Sequence, residues 1–345
     1  SMTKHVSLIS PPLGATLSSG YDTNYLLHRL RKETEEPLTA FSVGGKKVNE
    51  IGAASNILKE YDDVSHVTST LEPSIIEKLP DIIWRLEGYE FQSGIFLQYE
   101  LGRLVSEAGF KSLIVGEGAD QFLNWTFYSD LSWAFQRTAL FHFFKVGVIT
   151  KGCDRGIMDL FRASGVYSHI RSSASREIEC NGMLDYILKK SGILLNSYGV
   201  QAMYPFLSRR FRRLGMLRGP LTAWSKSDYK EQVKKRLGPK ISSLLQKIGG
   251  TTDVEYLVRP QLPAIVEVLK KSRLISKLIT PAHLDLICQR TDLYWHLLMQ
   301  LLSLDIFDTL FLSGDYDELF DEPSLSMPLT HHLKPDRGRW QPDEK

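Results

Sequence analysis

The segment Leu17-Ser18-Ser19-Gly20-Tyr21-Asp22-Thr23 lies at the end of a short apolar run and at the start of a helical pattern. A strand that ends in small hydroxyl residues and a glycine, followed directly by a helix, directs backbone N–H groups and the positive helix end at one place. Such a turn suits a phosphate or pyrophosphate group, and Gly20 permits close approach of the backbone. Asp22 would repel a phosphate, so we interpret it as a ligand of a Mg²⁺ ion that also binds phosphate oxygens.

A second loop, Gly116-Glu117-Gly118-Ala119-Asp120, follows another short apolar run, Ser112 to Val115. If the two runs are parallel strands of one sheet, the loops after them open at the same edge. Asp120 is then expected to complete the Mg²⁺ site with Asp22, and Glu117 is expected to accept a proton. Read separately, the first segment also fits a serine-rich helix cap, and the second fits a tight turn with two solvated acids.

The first third of the chain alternates short apolar runs with helical patterns, which predicts an α/β fold with a parallel, twisted sheet and right-handed crossovers. The predicted strands cover 13–17, 38–43, 64–68 and 112–115. The predicted helices cover about 23–31, 49–61, with Asn49 as the cap, and 91–108, with Gly109 at the carboxyl end. Beyond about Trp125 the strand signal fades, and apolar-periodic stretches at 263–279 and 293–312 predict a mainly helical part.

Charge and composition argue against several classes of protein. Lys plus Arg number 42 and Asp plus Glu number 40, a net charge of +2, so we do not expect a nucleic-acid partner. We see neither an apolar run long enough to span a bilayer nor a secretory signal, so we expect no membrane partner and a cytoplasmic location. The three cysteines are scattered and form no CxxC pair, and no HExxH or GxSxG motif occurs, which argues against a zinc site and a serine hydrolase.

Together these segments resemble a known family. Ser18 to Thr23 resembles the SGGxDS pyrophosphate loop of the PP-loop ATP pyrophosphatases, and Gly116 to Asp120 resembles the GEGAD signature of their asparagine synthetase branch. The AFSVGG strand at 40–45, the AMYPFL segment at 202–207 and the KIGGTT segment at 247–252 resemble further segments of that branch. The resemblance covers roughly residues 6 to 315.

This resemblance implies a synthetase domain of the adenine nucleotide α-hydrolase fold. Its ATP-binding α/β core would cover 1–125, a helical part 126–322 and a polar tail 323–345. ATP and Mg²⁺ would be the cofactors. The residues assigned to nucleotide and pyrophosphate binding are Ser18, Ser19, Gly20, Tyr21, Asp22 and Thr23 in the first loop, with Leu17, Val43 and Gly116 lining the adenosine pocket, partly through their backbones.

The remaining implied roles are chemical. Asp22 and Asp120 would bind the metal, Glu117 would take a proton from an attacking amine, and Lys247 would stabilise the charge of the tetrahedral centre. The implied reaction is an AMP-forming amide synthesis, in which a carboxylate is adenylated by ATP and then joined to ammonia or an amine. A base is needed because a protonated amine has no lone pair. Two other hypotheses remain: a PP-loop enzyme that modifies tRNA, and a catalytically degenerate scaffold or partner subunit.

Departures from the family pattern bear on the substrates. No cysteine precedes Cys153, so we expect the chain not to produce its own ammonia from glutamine. Ser19 stands where the family has glycine, and Gln201 to Ser208 lacks the charges of the family's EARxPFLD segment, which weakens the case for aspartate. We therefore expect a small-molecule or peptide carboxylate and an amine, with a separate glutaminase, leader-peptide-binding protein or carrier protein as a candidate partner. Such departures are similar to those of the β-lactam synthetases and lasso-peptide cyclases.

Overall fold

The computed structural model describes residues 11–46, 49–89, 91, 94–120, 188–211, 213, 226–246 and 253–313. The chain forms two compact units. Unit 1 comprises Ser1–Thr70 and Leu97–Gly250, and unit 2 comprises Leu71–Phe96 and Thr251–Lys345. The domain boundaries predicted near residues 125 and 322 both fall outside the described residues, so they stay predictions.

Unit 1 is built on a five-stranded sheet in the order β3-β2-β1-β4-β5, with every neighbouring pair parallel. The strands are β1 (Leu13–Thr16), β2 (Leu38–Gly44), β3 (Val64–Thr70), β4 (Ser112–Ile114) and β5 (Gln201–Met203). The chain winds outward from β1 to β3 and then returns to place β4 on the other side of β1. In open α/β sheets, ligands bind in the crevice at such a reversal, outside the carboxyl ends of the strands.

The helices bear out the predicted α/β fold class with a mainly helical later part. In chain order they are α1 (Tyr21–Glu33), α2 (Ile51–Leu58), α3 (Leu79–Leu86), α4 (Gly94–Glu107), α5 (188–197), α6 (Ser227–Leu244), α7 (Val254–Val258), α8 (Leu262–Lys271), α9 (Arg273–Leu278), α10 (Pro281–Gln289) and α11 (Thr291–Phe307). Short 3-10 turns cover Pro73–Lys78, Pro205–Leu207 and Arg259–Gln261, and a π-helical turn, Asp308–Leu312, follows α11.

The central strands β1, β2 and β4 are buried on both faces of the sheet, and their consecutive residues point to opposite sides. One face packs with α1, in a cluster that includes Ala15, Ala40, Ile114, Leu27 and Leu30. The other face packs with α4 and α5, in a cluster that includes Phe41, Leu113, Leu101, Val105 and Leu195. A parallel sheet covered on both faces leaves its strand ends as the accessible place for a ligand.

The predicted elements in this part are found, with different ends. The helix predicted over 49–61 covers Ile51–Leu58, and Glu50, not Asn49, occupies the cap position. Asn49 still contributes, because its side-chain oxygen accepts the N–H of Ile51 at 2.8 Å. Gly109 ends α4 as predicted, with a φ of +85° that favours glycine.

Strand β5 was missed by the sequence analysis, which expected no strand beyond about residue 125. It has only three residues, Gln201–Met203, too few for an alternating pattern to stand out. Its position depends on distant partners: it pairs with β4, and the N–H of Val115 donates to the carbonyl of Met203 at 2.9 Å. The AMYPFL segment, residues 202–207, therefore begins inside the sheet.

Unit 2 is helical wherever it is described, apart from its connecting turns. The stretch predicted at 263–279 is divided into α8 and α9 by Ser272, whose hydroxyl accepts the N–H of Ile275 at 3.0 Å and caps α9. The stretch predicted at 293–312 forms α11 and the π-helical turn. By its length and mean hydropathy of 1.2, Tyr294–Leu312 could also cross a bilayer, a property that it shares with core helices of soluble proteins.

Candidate active site

The loop after β1, called loop 1 below and comprising residues 17–23, is held in shape by its own side chains. The Thr23 hydroxyl accepts the N–H of Ser18 at 3.0 Å. The buried amide of Asn24 donates to the carbonyls of Ser18 at 2.9 Å and Gly20 at 2.6 Å. Gly20 is the cap residue of α1, and no side chain in the described part of the chain caps this helix. The first N–H groups of α1 are therefore left for an anion.

Ser19 is accommodated in loop 1 because its side chain is bonded inside the protein. Its N–H donates to Glu50 Oε2 at 2.9 Å, and its hydroxyl donates to the carbonyl of Gln246 at 2.9 Å. The N–H of Gln246 in turn donates to the carbonyl of Ser19 at 3.0 Å. The serine that replaces the family's glycine thus ties loop 1 to the residue that precedes Lys247.

The loop after β4, called loop 2 below and comprising residues 116–120, lies directly against loop 1. A Cβ added to Gly116 would stand 2.9 Å from the Thr23 methyl group, closer than real Cβ contacts allow. Gly118 has a φ of +98°, and a Cβ there would collide with Leu207. The two glycines therefore let loop 2 fit between loop 1 and the segment that follows β5.

The carboxylates of Asp22 and Asp120 meet at a single cation, the ammonium group of Lys226. The Lys226 Nζ lies 3.0 Å from Asp22 Oδ2 and 2.5 Å from Asp120 Oδ1. The Lys226 side chain is only 5% exposed, whereas those of Asp22 and Asp120 are 24% and 32% exposed. Lys226 also has a φ of +52°, which costs a non-glycine residue about 1 kcal/mol or more. The surrounding structure therefore holds the Lys226 backbone in this conformation.

Burial and charge act in opposite directions on this pair of acids. Burial raises the pKa of Asp22, the ammonium of Lys226 opposes that rise, and the negative charge of Asp120 adds to it. Burial also raises the pKa of the Tyr229 hydroxyl, and the nearby Asp22 carboxylate raises it further. The centre therefore strongly favours a bound positive charge.

The donor set at this centre suits a magnesium ion that shares its coordination with a phosphate. Magnesium prefers oxygen ligands and is commonly held by one or two carboxylates together with substrate phosphates. Asp22 and Asp120 supply two such carboxylates within reach of one cation. Among the described residues no group of three or more His, Cys, Asp or Glu side chains could hold a metal ion, so no all-protein cage competes with this arrangement.

Glu117 lies between the two glycines of loop 2 and is half-buried. The amide of Gln98, on α4, donates through Nε2 to Glu117 Oε1 at 2.9 Å. Burial raises the pKa of the Glu117 carboxyl, and the bond from Gln98 opposes part of that rise. Tyr204 lies close by, and burial, together with the charge of Glu117, raises the pKa of its hydroxyl to about 12 even though Ser191 bonds to it at 2.9 Å. A raised carboxyl pKa suits a group that exchanges protons near neutral pH.

The other predicted site residues have varied surroundings. The Leu17 side chain is buried in the core, so only its backbone can face a nucleotide. Its carbonyl accepts the Ser42 hydroxyl at 2.7 Å. Val43 is half-buried, and the Tyr21 ring lies under the ammonium groups of Lys230 and Lys234, at 5.8 and 5.9 Å. Lys247 lies outside the described residues.

Four residues at the site were not singled out from the sequence. Asn24 and Glu50 stabilise loop 1, Gln98 contacts Glu117, and Lys226 contacts both aspartates. In the sequence, Lys226 begins a run of lysines largely at helical spacing, a pattern typical of a solvated helix face, and Lys234 and Lys235 of that run are exposed. Only the burial of Lys226 distinguishes it, and burial of a single lysine leaves no signal in the sequence.

The parallel sheet, the uncapped helix N-terminus after β1 and the acidic loop after β4 together define a nucleotide-binding α/β protein of the PP-loop class. A sequence model of the asparagine synthase family matches residues 7–217, and the chain belongs to that family. No curated protein matches the chain. Members of the family use ATP, and membership supports an ATP-dependent ligase activity that forms carbon–nitrogen bonds.

Proposed function

We propose that the protein is an AMP-forming amide synthetase, which adenylates a carboxylate with ATP and transfers the acyl group to ammonia or an amine. The observation that carries the proposal is the contact of one ammonium, that of Lys226, with both Asp22 and Asp120. It indicates that the two loops meet at a cation position, outside the carboxyl ends of β1 and β4, where ligands bind in open α/β sheets.

In the first step, an oxygen of the substrate carboxylate attacks the α-phosphorus of ATP, and the bond to the β-phosphate oxygen breaks. The N–H groups at the start of α1 and the ammonium of Lys226 would bind the departing pyrophosphate. Asp22 and Asp120 would hold a magnesium ion, which would supply further neutralisation of the phosphate charge. Oxide is a poor leaving group from a carboxylate, and AMP is a good one.

In the second step, the amine nitrogen attacks the acyl carbon, the bond to AMP breaks, and Glu117 takes the proton that the nitrogen releases. General-base assistance is typically worth about 10²- to 10⁴-fold in rate. Glu117 must be ionised to act, and its pKa is raised above the ordinary value of 4.5. The rate of amide formation should therefore rise with pH as Glu117 loses its proton. Lys247 remains the proposed stabiliser of the tetrahedral centre.

We propose the substrates and partners by chemical class. A small-molecule or peptide carboxylate, an amine, and a separate glutaminase, leader-peptide-binding or carrier protein are the proposed reactants and partners, in the cytoplasm. The segment around β5 supports a substrate other than aspartate, because Gln201 and Met203 replace charged residues of the family pattern.

The decisive experiment is the exchange of labelled pyrophosphate into ATP, screened over a panel of carboxylic acids. We expect at least one acid to stimulate exchange in the presence of Mg²⁺. We expect Asp22→Asn to lower that exchange about 100-fold or more, since several kcal/mol of charge stabilisation would be lost. The matched control is Asp62→Asn, the same change at an exposed loop residue. An exchange rate that is the same with and without an added acid would contradict the proposal. An exchange rate in Asp22→Asn equal to that of the wild-type protein would also contradict it.

The Lys226 contact also gives one argument for a catalytically degenerate scaffold, in which the ammonium replaces the metal permanently. Calorimetric titration with inorganic pyrophosphate and Mg²⁺ separates the two functions. A synthetase binds pyrophosphate only weakly without Mg²⁺ and more tightly with it, whereas a scaffold shows no dependence on the metal. The tRNA-modifying alternative gains no support from the comparisons, because the matching family is asparagine synthase.

A further inference from the structure

We propose that Gln98 is an amine-binding residue and that it restricts the amine to ammonia or a primary amine. The assignment rests on the proposed function and narrows its second substrate. One N–H of the Gln98 amide holds the base Glu117, at 2.9 Å from Oε1. The carbonyl oxygen of the same amide is directed at the incoming amine and accepts one of its N–H groups.

The Gln98 carbonyl oxygen is a buried acceptor that has no hydrogen-bond partner within the described part of the chain. Leaving such a group unpaired typically costs about 1–3 kcal/mol. The two polar atoms of an amide are neighbours, so this oxygen lies beside the Glu117 carboxylate. The opposite orientation of the amide would place its oxygen against an ionised carboxylate, which is unfavourable because both groups only accept.

Gln98 is also an unexpected residue for its place on α4. Leu101 and Val105, three and seven positions further along, lie on the same helix face and are buried against the sheet. An apolar residue at position 98 would continue that stripe and avoid the cost of an unpaired oxygen. A glutamine there, bonded to the proposed base, indicates that a ligand supplies the missing partner.

The geometry of an attacking amine supplies such a partner. The nitrogen must direct its lone pair at the acyl carbon and one N–H at Glu117, so any second N–H is free to donate to Gln98. Ammonia and primary amines have that second N–H. A secondary amine has only one, so its binding would leave the Gln98 oxygen buried and unpaired, which is how polar sites reject analogues that lack a donor.

The test compares Gln98→Met with the wild-type protein, using the acid that gives the fastest pyrophosphate exchange. No amine takes part in exchange, so the exchange rate measures the amount of acid-activating enzyme in each preparation. Amide formation per unit of exchange is then measured with methylamine and with dimethylamine. The control is Gln289→Met, the same change at the exposed end of α10.

We expect the wild-type protein and Gln289→Met to prefer methylamine, and Gln98→Met to lower that preference about tenfold, chiefly through the KM for methylamine. Loss of the hydrogen bond to Glu117 should also shift the acidic limb of the pH profile of amide formation to higher pH, because that bond lowers the pKa of Glu117. An unchanged preference, with both amines slowed equally, would overturn the assignment and leave Gln98 only a positioning residue for Glu117. Absence of acid-dependent exchange in the wild-type protein would instead refute the proposed function, and this assignment with it.

Discussion

Replacing Lys226 by methionine removes the positive charge that joins Asp22 and Asp120, and this loss should destabilise the folded protein. Breaking a buried ion pair by removing one partner typically costs about 3–5 kcal/mol. The aspartates keep 24% and 32% of their side-chain surface, so solvent screens part of the loss and we take the lower end, about 3 kcal/mol. For a chain of 345 residues, with an entropy of unfolding of about 0.7 kcal/mol/K, that corresponds to a fall in Tm of about 4 °C.

A divalent cation should reverse this loss in the variant and have little effect on the wild-type protein. In Lys226→Met the two carboxylates have no counter-charge, so Mg²⁺ can bind where the ammonium was. A ligand at 100 times its Kd stabilises the folded state by about 2.7 kcal/mol, which would raise the Tm of the variant by about 4 °C. In the wild-type protein, Mg²⁺ should bind only when pyrophosphate or ATP draws the ammonium away.

The destabilisation should also depend on pH. Without the ammonium, the pKa of the Asp22 carboxyl rises further, because burial and Asp120 both raise it and only the Tyr229 hydroxyl still opposes them. A group whose folded-state pKa is raised loses stability as pH increases through that pKa. The deficit of Lys226→Met should therefore be small near pH 4 and should grow toward pH 8.

Thermal unfolding followed by circular dichroism, with and without Mg²⁺, measures these shifts. Lys235→Met is the matched control, since Lys235 is exposed on α6, the helix that follows directly after Lys226. The reasoning is refuted if Mg²⁺ stabilises the wild-type protein as much as the Lys226 variant. A melting temperature of Lys226→Met equal to that of the control would also refute it.

Three further predictions concern the two loops. Glu117→Gln should slow amide formation about 10²- to 10⁴-fold. It should also abolish the acidic limb of the pH profile of amide formation, which lies above pH 4.5 in the wild-type protein. If the acid-dependent pyrophosphate exchange of this variant fell by the same factor, Glu117 would not act specifically in amine attack. Gly116→Ala should weaken pyrophosphate binding in calorimetry, because its Cβ would stand 2.9 Å from Thr23, whereas Gly52→Ala, with open space in α2, should stabilise the protein by up to about 1 kcal/mol. Ser19→Gly should lower the free energy of unfolding by about 1 kcal/mol; an unchanged value in urea denaturation would show that the hydroxyl bond to Gln246 contributes nothing.

Much of unit 1 could be predicted because its signals are local. A short apolar run predicts a buried parallel strand, and apolar periodicity over about ten residues predicts α1. Helix ends were predicted less well: Asn49 precedes the cap residue of α2 and contributes a bond without being the cap itself. Which of two adjacent residues occupies the cap position depends on a backbone conformation that both residues can adopt.

The sequence by itself determined the fold class, the two loops and the family to which they are similar, because each of these is written in short, contiguous segments. Only the tertiary structure decided the partners of those loops. Lys226 and Asp22 are 204 positions apart, and β5 pairs with β4 across a long connection. Such contacts follow from how buried groups satisfy charge and hydrogen bonds in three dimensions, and neither spacing nor composition carries that information.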